Sequence, residues 1–216
     1  MIGDSADRRV EILSDRNELH ATWSRFGPGR NGADPHVHRR HTDLFYVLDG
    51  ELTIGLGVDR SERVVPAGSL VIAPPLVVHA FRNGSDAEVR YLNFHAPGGG
   101  FADYLRGRQP GFDSEDPPAD GGRPIDDATI ARGELLADLD ELRIAELQSE
   151  VPERSLDRLV SFYVLTGELT VTASGQELKA IAGAWVQIPP ETPHSVAFAG
   201  SGEARALELQ AYGPSE

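Results

Sequence analysis

Four side chains at short spacing could share one metal ion: His36, His38, Asp43 and His79. On a β-strand, residues two apart face the same way, about 6.6 Å apart along the chain, so His36 and His38 can aim two imidazoles at one point. Arg39 to Thr42 allow a turn, after which Asp43 begins the next strand and can face the same interior. His79 stands near the start of a later strand, behind a turn at Pro74-Pro75. Imidazole nitrogens with one carboxylate oxygen suit a divalent transition metal and leave positions open for a substrate. Such donors accept several ions, so Fe, Mn, Ni, Cu and Zn all stay open. Of the remaining histidines, His41 is expected to be exposed in the turn, His95 to make a surface or linker contact, and His20 and His194 to be structural. Arg39 and Arg40 are expected to be solvated.

The elements that position these residues occur twice. Phe45-Tyr46-Val47-Leu48-Asp49-Gly50-Glu51-Leu52-Thr53 returns as Phe162-Tyr163-Val164-Leu165-Thr166-Gly167-Glu168-Leu169-Thr170, identical at eight of nine positions. The offset is 167 − 50 = 117 residues. Further on it is 115: Gly68 pairs with Gly183, Pro74-Pro75 with Pro189-Pro190, and His79 with His194. A longer loop between Gly57 and Arg63 would absorb the difference. A period this long describes two whole domains and not a solenoid unit.

Short alternating strands dominate each copy. Leu52, Ile54, Leu56 and Val58 alternate with Thr53, Gly55, Gly57 and Asp59, and Leu169, Val171 and Ala173 repeat the pattern. Turns at Asn83-Gly84-Ser85-Asp86 and Ala199-Gly200-Ser201-Gly202 punctuate them, which predicts an all-β sandwich or barrel. Between the copies, Pro97 to Asp127 is rich in Gly, Pro and Asp. Phe101, Tyr104 and Leu105 fit one or two helical turns, and Gly98-Gly99-Gly100 reads as a flexible joint. The expected organisation is an N-terminal barrel with the metal site over 1–108, a linker over 109–128 and a C-terminal barrel over 129–216.

The two linked motifs resemble those of the cupin family, and the doubled chain resembles a bicupin of the quercetinase-like type. His36-x-His38, four residues, Asp43, six residues and Gly50 match the family's first motif; Gly68, Pro74-Pro75-Leu76, His79 and Asn83 match its second. The resemblance implies two tandem jelly-roll barrels with an ion inside. It departs from the family at Asp43, where a Glu is usual, and at Leu76, where a Gly is usual and a different local turn is therefore expected. Asp43 would ligate directly, act through a water, or serve as a base. Aligned through Gly167, the positions of His36, His38 and Asp43 become Glu153, Ser155 and Val160, so one ion is expected, in the N-terminal barrel.

Among activities, the resemblance puts a metal-dependent dioxygenase acting on a small organic substrate first. A sugar or small-acid isomerase follows, then a non-catalytic small-molecule binder; fold does not choose among them. Composition trims the field. The 216 residues carry a formal net charge of −14, which opposes nucleic acid or an anionic membrane as partner. There is no Cys, hence no disulfide and no thiolate chemistry. Met1 to Val10 holds no apolar run, so the expectation is a cytoplasmic protein, and uncovered sheet edges suggest a homodimer.

Overall fold

The repeat is visible in the backbone. The computed structural model describes residues 2–199 and 204–213, and the chain divides into two units, Met1–Arg132 and Gly133–Glu216. The first contains strands β1 (Ile2–Ser5), β2 (Arg8–Asp15), β3 (His20–Phe26), β4 (Thr42–Asp49), β5 (Glu51–Leu56), β6 (Ser61–Pro66), β7 (Leu70–Ala73), β8 (His79–Arg82), β9 (Val89–Ala96) and β10 (Thr129–Ala131), with one short helix, α1 (Phe101–Leu105). The second contains β11 (Leu135–Asp138), β12 (Leu142–Leu147), β13 (Val151–Arg154), β14 (Leu159–Thr166), β15 (Glu168–Ala173), β16 (Gln176–Ile181), β17 (Trp185–Ile188), β18 (His194–Ala199) and β19 (Arg205–Ala211).

Each unit is two antiparallel sheets with one shared order. In the first, β1-β2-β3-β9-β4-β7-β10 faces β6-β5-β8; in the second, β11-β12-β19-β14-β17 faces β13-β18-β15-β16. The all-β, two-barrel expectation holds. The longer loop of the first copy is the β5–β6 hairpin, whose connection covers 57–60 where β15–β16 needs only 174–175. Turn conformations repeat too: Gly50 and Gly167 both have φ 75°, and Leu76 and Glu191, 115 residues apart, have φ 67° and 59°. Leu76 therefore holds, like Glu191, a left-handed turn that glycine would adopt without strain.

Alternation fills each interior. Phe45, Val47, Leu52, Ile54, Leu56 and Tyr91 are buried in one core; Phe162, Val164, Leu169, Val171 and Ala206 are buried in the other. Each large side chain so buried contributes about 1.5–3 kcal/mol. Val58, by contrast, lies beyond the end of β5 and is 56% exposed. The expected turn at Ala199–Gly202 lies outside the described residues from Gly200 onward.

The linker, 109–128, is expected to wrap one half before delivering the chain to the other, and it runs along the first unit. The Val37 amide donates to the Glu115 carbonyl at 3.0 Å and the Glu115 amide donates back to Val37 at 3.0 Å. The Arg123 amide donates to the Leu76 carbonyl at 2.9 Å. β10 then pairs antiparallel with β7, Ile130 opposite Val71. These contacts are made by backbone groups and not by an apolar pattern. Gly98-Gly99-Gly100 is likewise tightly packed: a Cβ at Gly98 would meet the Arg16 carbonyl at 2.4 Å, and one at Gly99 would meet the His41 ring at 2.9 Å. Among the described residues no helix is long and apolar enough to cross a membrane.

Candidate metal centre

Antiparallel register assembles the site. The amides of His36 and His79 each donate to the other's carbonyl at 3.0 Å, so the two residues face each other and their side chains emerge on one side. His38, two residues on, shares that side. Across the larger sheet, His20, His95, Asp43 and Ala73 stand in one row over β3, β9, β4 and β7. Asp43 thus projects inward toward the three imidazoles. Their ring centroids lie 4.4 Å (His36–His79), 4.8 Å (His36–His38) and 5.1 Å (His38–His79) apart. One ligand atom from each of His36, His38, Asp43 and His79 lies within 4.8 Å of every other.

The hydrogen bonds settle which ring nitrogen is available. Nδ1 of His36 lies 2.7 Å from the Asp34 carbonyl, Nδ1 of His79 lies 2.9 Å from the Val77 carbonyl, and Nδ1 of His38 meets the Asp113 carbonyl. A carbonyl can only accept, so each Nδ1 carries the proton and donates it. In the neutral rings Nε2 is then a bare lone pair. Nε2 of His79 sits 3.2 Å, and Nε2 of His38 3.5 Å, from Asp43 Oδ2. Lone pairs facing a carboxylate repel unless a proton or a cation stands between them. The donor set and its tautomers fit a divalent transition metal.

Electrostatics favour a neutral ring at His36 and an ionised carboxylate at Asp43. Burial, with His79 and His38 beside it, pushes the His36 pKa down to about 4, keeping the ring neutral as a ligand must be. Burial would push Asp43 up, but the imidazoles of His95, His38 and His79 overcome it and hold the carboxyl well below its usual range. His38 is pulled down by burial and raised by Asp43 and Asp113, ending above its ordinary value.

Two further histidines, His41 and His95, join this cluster. His41 is not exposed but 0% accessible; His95 is 2% accessible and makes the linker contact of the two expected for it, its ring 5.9 Å from that of Phe112. His95 Nδ1 lies 2.9 Å from His41 Nε2; His95 Nε2 lies 3.1 Å from Asn93 Oδ1 and 3.5 Å from Asp43 Oδ1. His38, His41 and His95 form a second cluster of close ring nitrogens. Asn93 Nδ2 donates to Asp43 Oδ1 and, at 3.1 Å, to the Leu44 carbonyl, which anchors the carboxylate. Period-two inward facing of Val89, Tyr91, Asn93 and His95 was the available signal for His95.

The strap after β9 covers the cluster. Phe101 of α1 stacks on His95 at 4.4 Å and 11°, and Phe112 lies 5.6 Å from His38. Asp113 bolts the strap down, its carboxylate accepting from the amides of Arg39 (3.1 Å) and Arg40 (2.7 Å). It also stands 3.1 Å from His41 Nδ1, without hydrogen-bond alignment. Arg39 is exposed, as expected, and pairs with Glu115 at 2.6 Å. Between cluster and strap is a cavity of about 290 Å³ walled by Phe26, Phe81, Phe101, Tyr104 and Phe112.

The second unit replaces these groups. Val160 occupies Asp43's register, opposite Ile188 as Asp43 is opposite Ala73. Arg154, and not Glu153, pairs with His194 where His36 pairs with His79, because β13 is irregular. Arg154 forms an ion pair with the buried Glu208, which stands at Asn93's register opposite Phe162.

A family model described as a cupin domain matches residues 22–95 and 157–209, more than half of the chain. The chain belongs to the cupin family. Among solved structures this cupin is similar to protein Ylba from E. coli, with a TM-score of 0.74 and 9% identity over 100% of this chain and 88% of that one. It is also similar to a salicylate 1,2-dioxygenase mutant from Pseudoaminobacter salicylatoxidans in complex with gentisate, with a TM-score of 0.67 and 15% identity over 98% and 76% of the respective chains. At such identities the likeness shows the fold. Germin-like protein 5-1 of Oryza sativa subsp. japonica is 29% identical over 96 residues, 41% of this cupin and 43% of that protein, so the match spans less than half of that relative.

Proposed function

We propose that this cupin is a metal-dependent oxidoreductase of the dioxygenase type, acting on a small organic substrate held over one divalent ion in the N-terminal barrel. The observation that carries the reading is the convergence of Nε2 lone pairs and Asp43 Oδ2, with every partner Nδ1 already bonded to a main-chain carbonyl. His36, His38 and His79 would hold the ion, with Asp43 as fourth donor. Bound there, a redox-capable ion supplies a Lewis acid and an electron-transfer centre for an organic anion and O₂. The chain's own residues prepare that site. Asn93 fixes the Asp43 carboxylate, the strap rings of Phe101 and Phe112 shield it from water, and the open cavity leaves room for substrate beside it. The fold shared with a dioxygenase crystallised with gentisate supports the choice of reaction class.

Elemental analysis of protein purified without chelators or a His-tag tests it, with His36→Ala alongside. The expected result is near-stoichiometric Fe, Mn, Ni or Cu, lost in the variant, together with substrate-dependent O₂ uptake. Zinc without O₂ uptake would replace the reading by an isomerase or a binder. No metal after reconstitution would overturn the metal centre. Asp43→Ala is expected to lose the ion; retention of the ion with loss of turnover would make Asp43 a base.

A further inference from the structure

The inward row at the far end of the larger sheet contains a residue that a barrel interior does not ordinarily hold. Register places Arg8 of β2 opposite Phe26 of β3, and Phe26 opposite Val89 of β9. The next inward positions of β2 are Val10 and Ile12, opposite Ser24 and Thr22. Arg8 therefore occupies the place of an inward apolar residue. Its Nε is buried without a hydrogen-bond partner, and among the described residues no carboxylate lies within 4.0 Å of it. Its neighbour Arg30, by contrast, is committed to Asp7 at 3.0 Å. Arg8 lies over the Phe26 ring, its Cζ 5.9 Å from the centroid, and lines the same cavity as His36, His38, Asp43 and His95. An anion in the cavity would give this guanidinium the counter-charge that it lacks among the described residues.

The cavity also constrains what that anion is attached to. Its volume of about 290 Å³ is room for a small organic molecule. Phe26, Phe81, Phe101 and Phe112 present flat apolar walls. The Arg8–Phe26 row meets β9 at Val89 and the Asp43 row meets it at His95, six residues apart, about 20 Å of strand before side chains reach inward. We infer that the cavity takes an elongated monocarboxylic acid with a flat apolar body, and that Arg8 binds its carboxylate. The inference rests on the proposed metal centre only in assigning the acid's other end to the histidine cluster.

Calorimetric titration of the full-length protein with cinnamate and with its uncharged amide, cinnamamide, tests this, with metal content measured on the same samples. Wild-type protein is expected to prefer cinnamate at least tenfold. Arg8→Gln is expected to abolish that preference while leaving the metal content unchanged, a coupling that a merely structural role would not produce. Should Arg8→Gln fail to fold, Arg8→Lys carries the test: the preference falls at least threefold, because an ammonium cannot make the bidentate pair. An unchanged preference in the folded variant, or no cinnamate binding to wild type at millimolar concentration, overturns the inference. Protein that takes up no metal even on reconstitution yet keeps the Arg8-dependent preference would remove the metal reading and leave this one standing; metal-loaded protein without the preference would do the reverse.

Discussion

At the level of single residues, the site is a problem of proton placement. Three main-chain carbonyls claim the Nδ1 protons of His36, His38 and His79, so backbone geometry makes these rings ligands before any ion arrives. The spacing of His36, His38, Asp43 and His79 was legible in the sequence because strand periodicity and a short turn fix it. His41 and His95 were not, because their burial depends on the strap and on an adjacent strand far away in the chain. Burial has a cost in the metal-free protein. It lowers the pKa of His20, His36 and His41 each to about 4. Unfolding restores values near 6.5, so each ring takes up a proton on unfolding between those limits. The stabilisation is complete above about pH 6.5 and is lost as pH falls toward 4, by about 1.4 kcal/mol per pH unit for each ring. His38, raised in the folded state, works in the opposite sense, and Asp43 acts only at lower pH. Urea unfolding of chelator-treated protein at pH 7 and pH 5 is expected to show lower stability at pH 5, and His20→Gln is expected to make the dependence shallower. A flat profile would contradict the buried, neutral state of these rings.

Among elements, the strap from Pro97 to Asp127 was the least legible and matters most to the site. Its sequence is polar and Gly/Pro-rich, the composition of a spacer, yet it supplies the Asp113 carbonyl to His38 and the Phe101 and Phe112 rings to the cluster. What specifies its path is glycine geometry. Gly99 has φ 59°, and a Cβ there would stand 2.9 Å from His41 Nδ1. Gly99→Ala therefore meets both left-handed strain and a clash with a buried ring. It is expected to cost about 1–2 kcal/mol, read as a lower urea midpoint. Asp113→Ala removes the acceptor of two amides and is expected to increase proteolysis of the strap and weaken metal retention. A variant with unchanged proteolysis and metal content would mean that the Asp113 carboxylate does not hold the strap. The β-strands, by contrast, were readable throughout, since Phe45 to Thr53 and Phe162 to Thr170 alternate in the period their sheets require.

For the molecule as a whole, one sheet plan carries two different polar interiors. Both units keep the sheet order, the hairpin and the left-handed turns, because these depend on backbone pairing and on apolar residues that both copies retain. The polar interior diverged position by position: Asp43 to Val160, His36 to Arg154, Asn93 to Glu208, His95 to Gln210. Arg154 and Glu208 form an ion pair inside the second unit. Removing one charge leaves the other buried, so Arg154→Ala is expected to destabilise by about 3 kcal/mol without changing metal content. The same divergence sets stoichiometry. A carboxylate cannot be supplied from Val160, and a guanidinium at Arg154 repels a cation, so full-length protein is expected to hold one ion and not two. The domain limits sharpen the test. Because the strap and β10 belong with the first unit, a fragment of residues 1–132 is expected to bind the ion at the full-length ratio. A fragment of residues 1–108, cut before Phe112, Asp113 and β10, is expected to lose it. Equal metal content in the two fragments would show that the strap is dispensable, and a ratio near two in the full chain would place a second ion outside the His36, His38, Asp43 and His79 cluster.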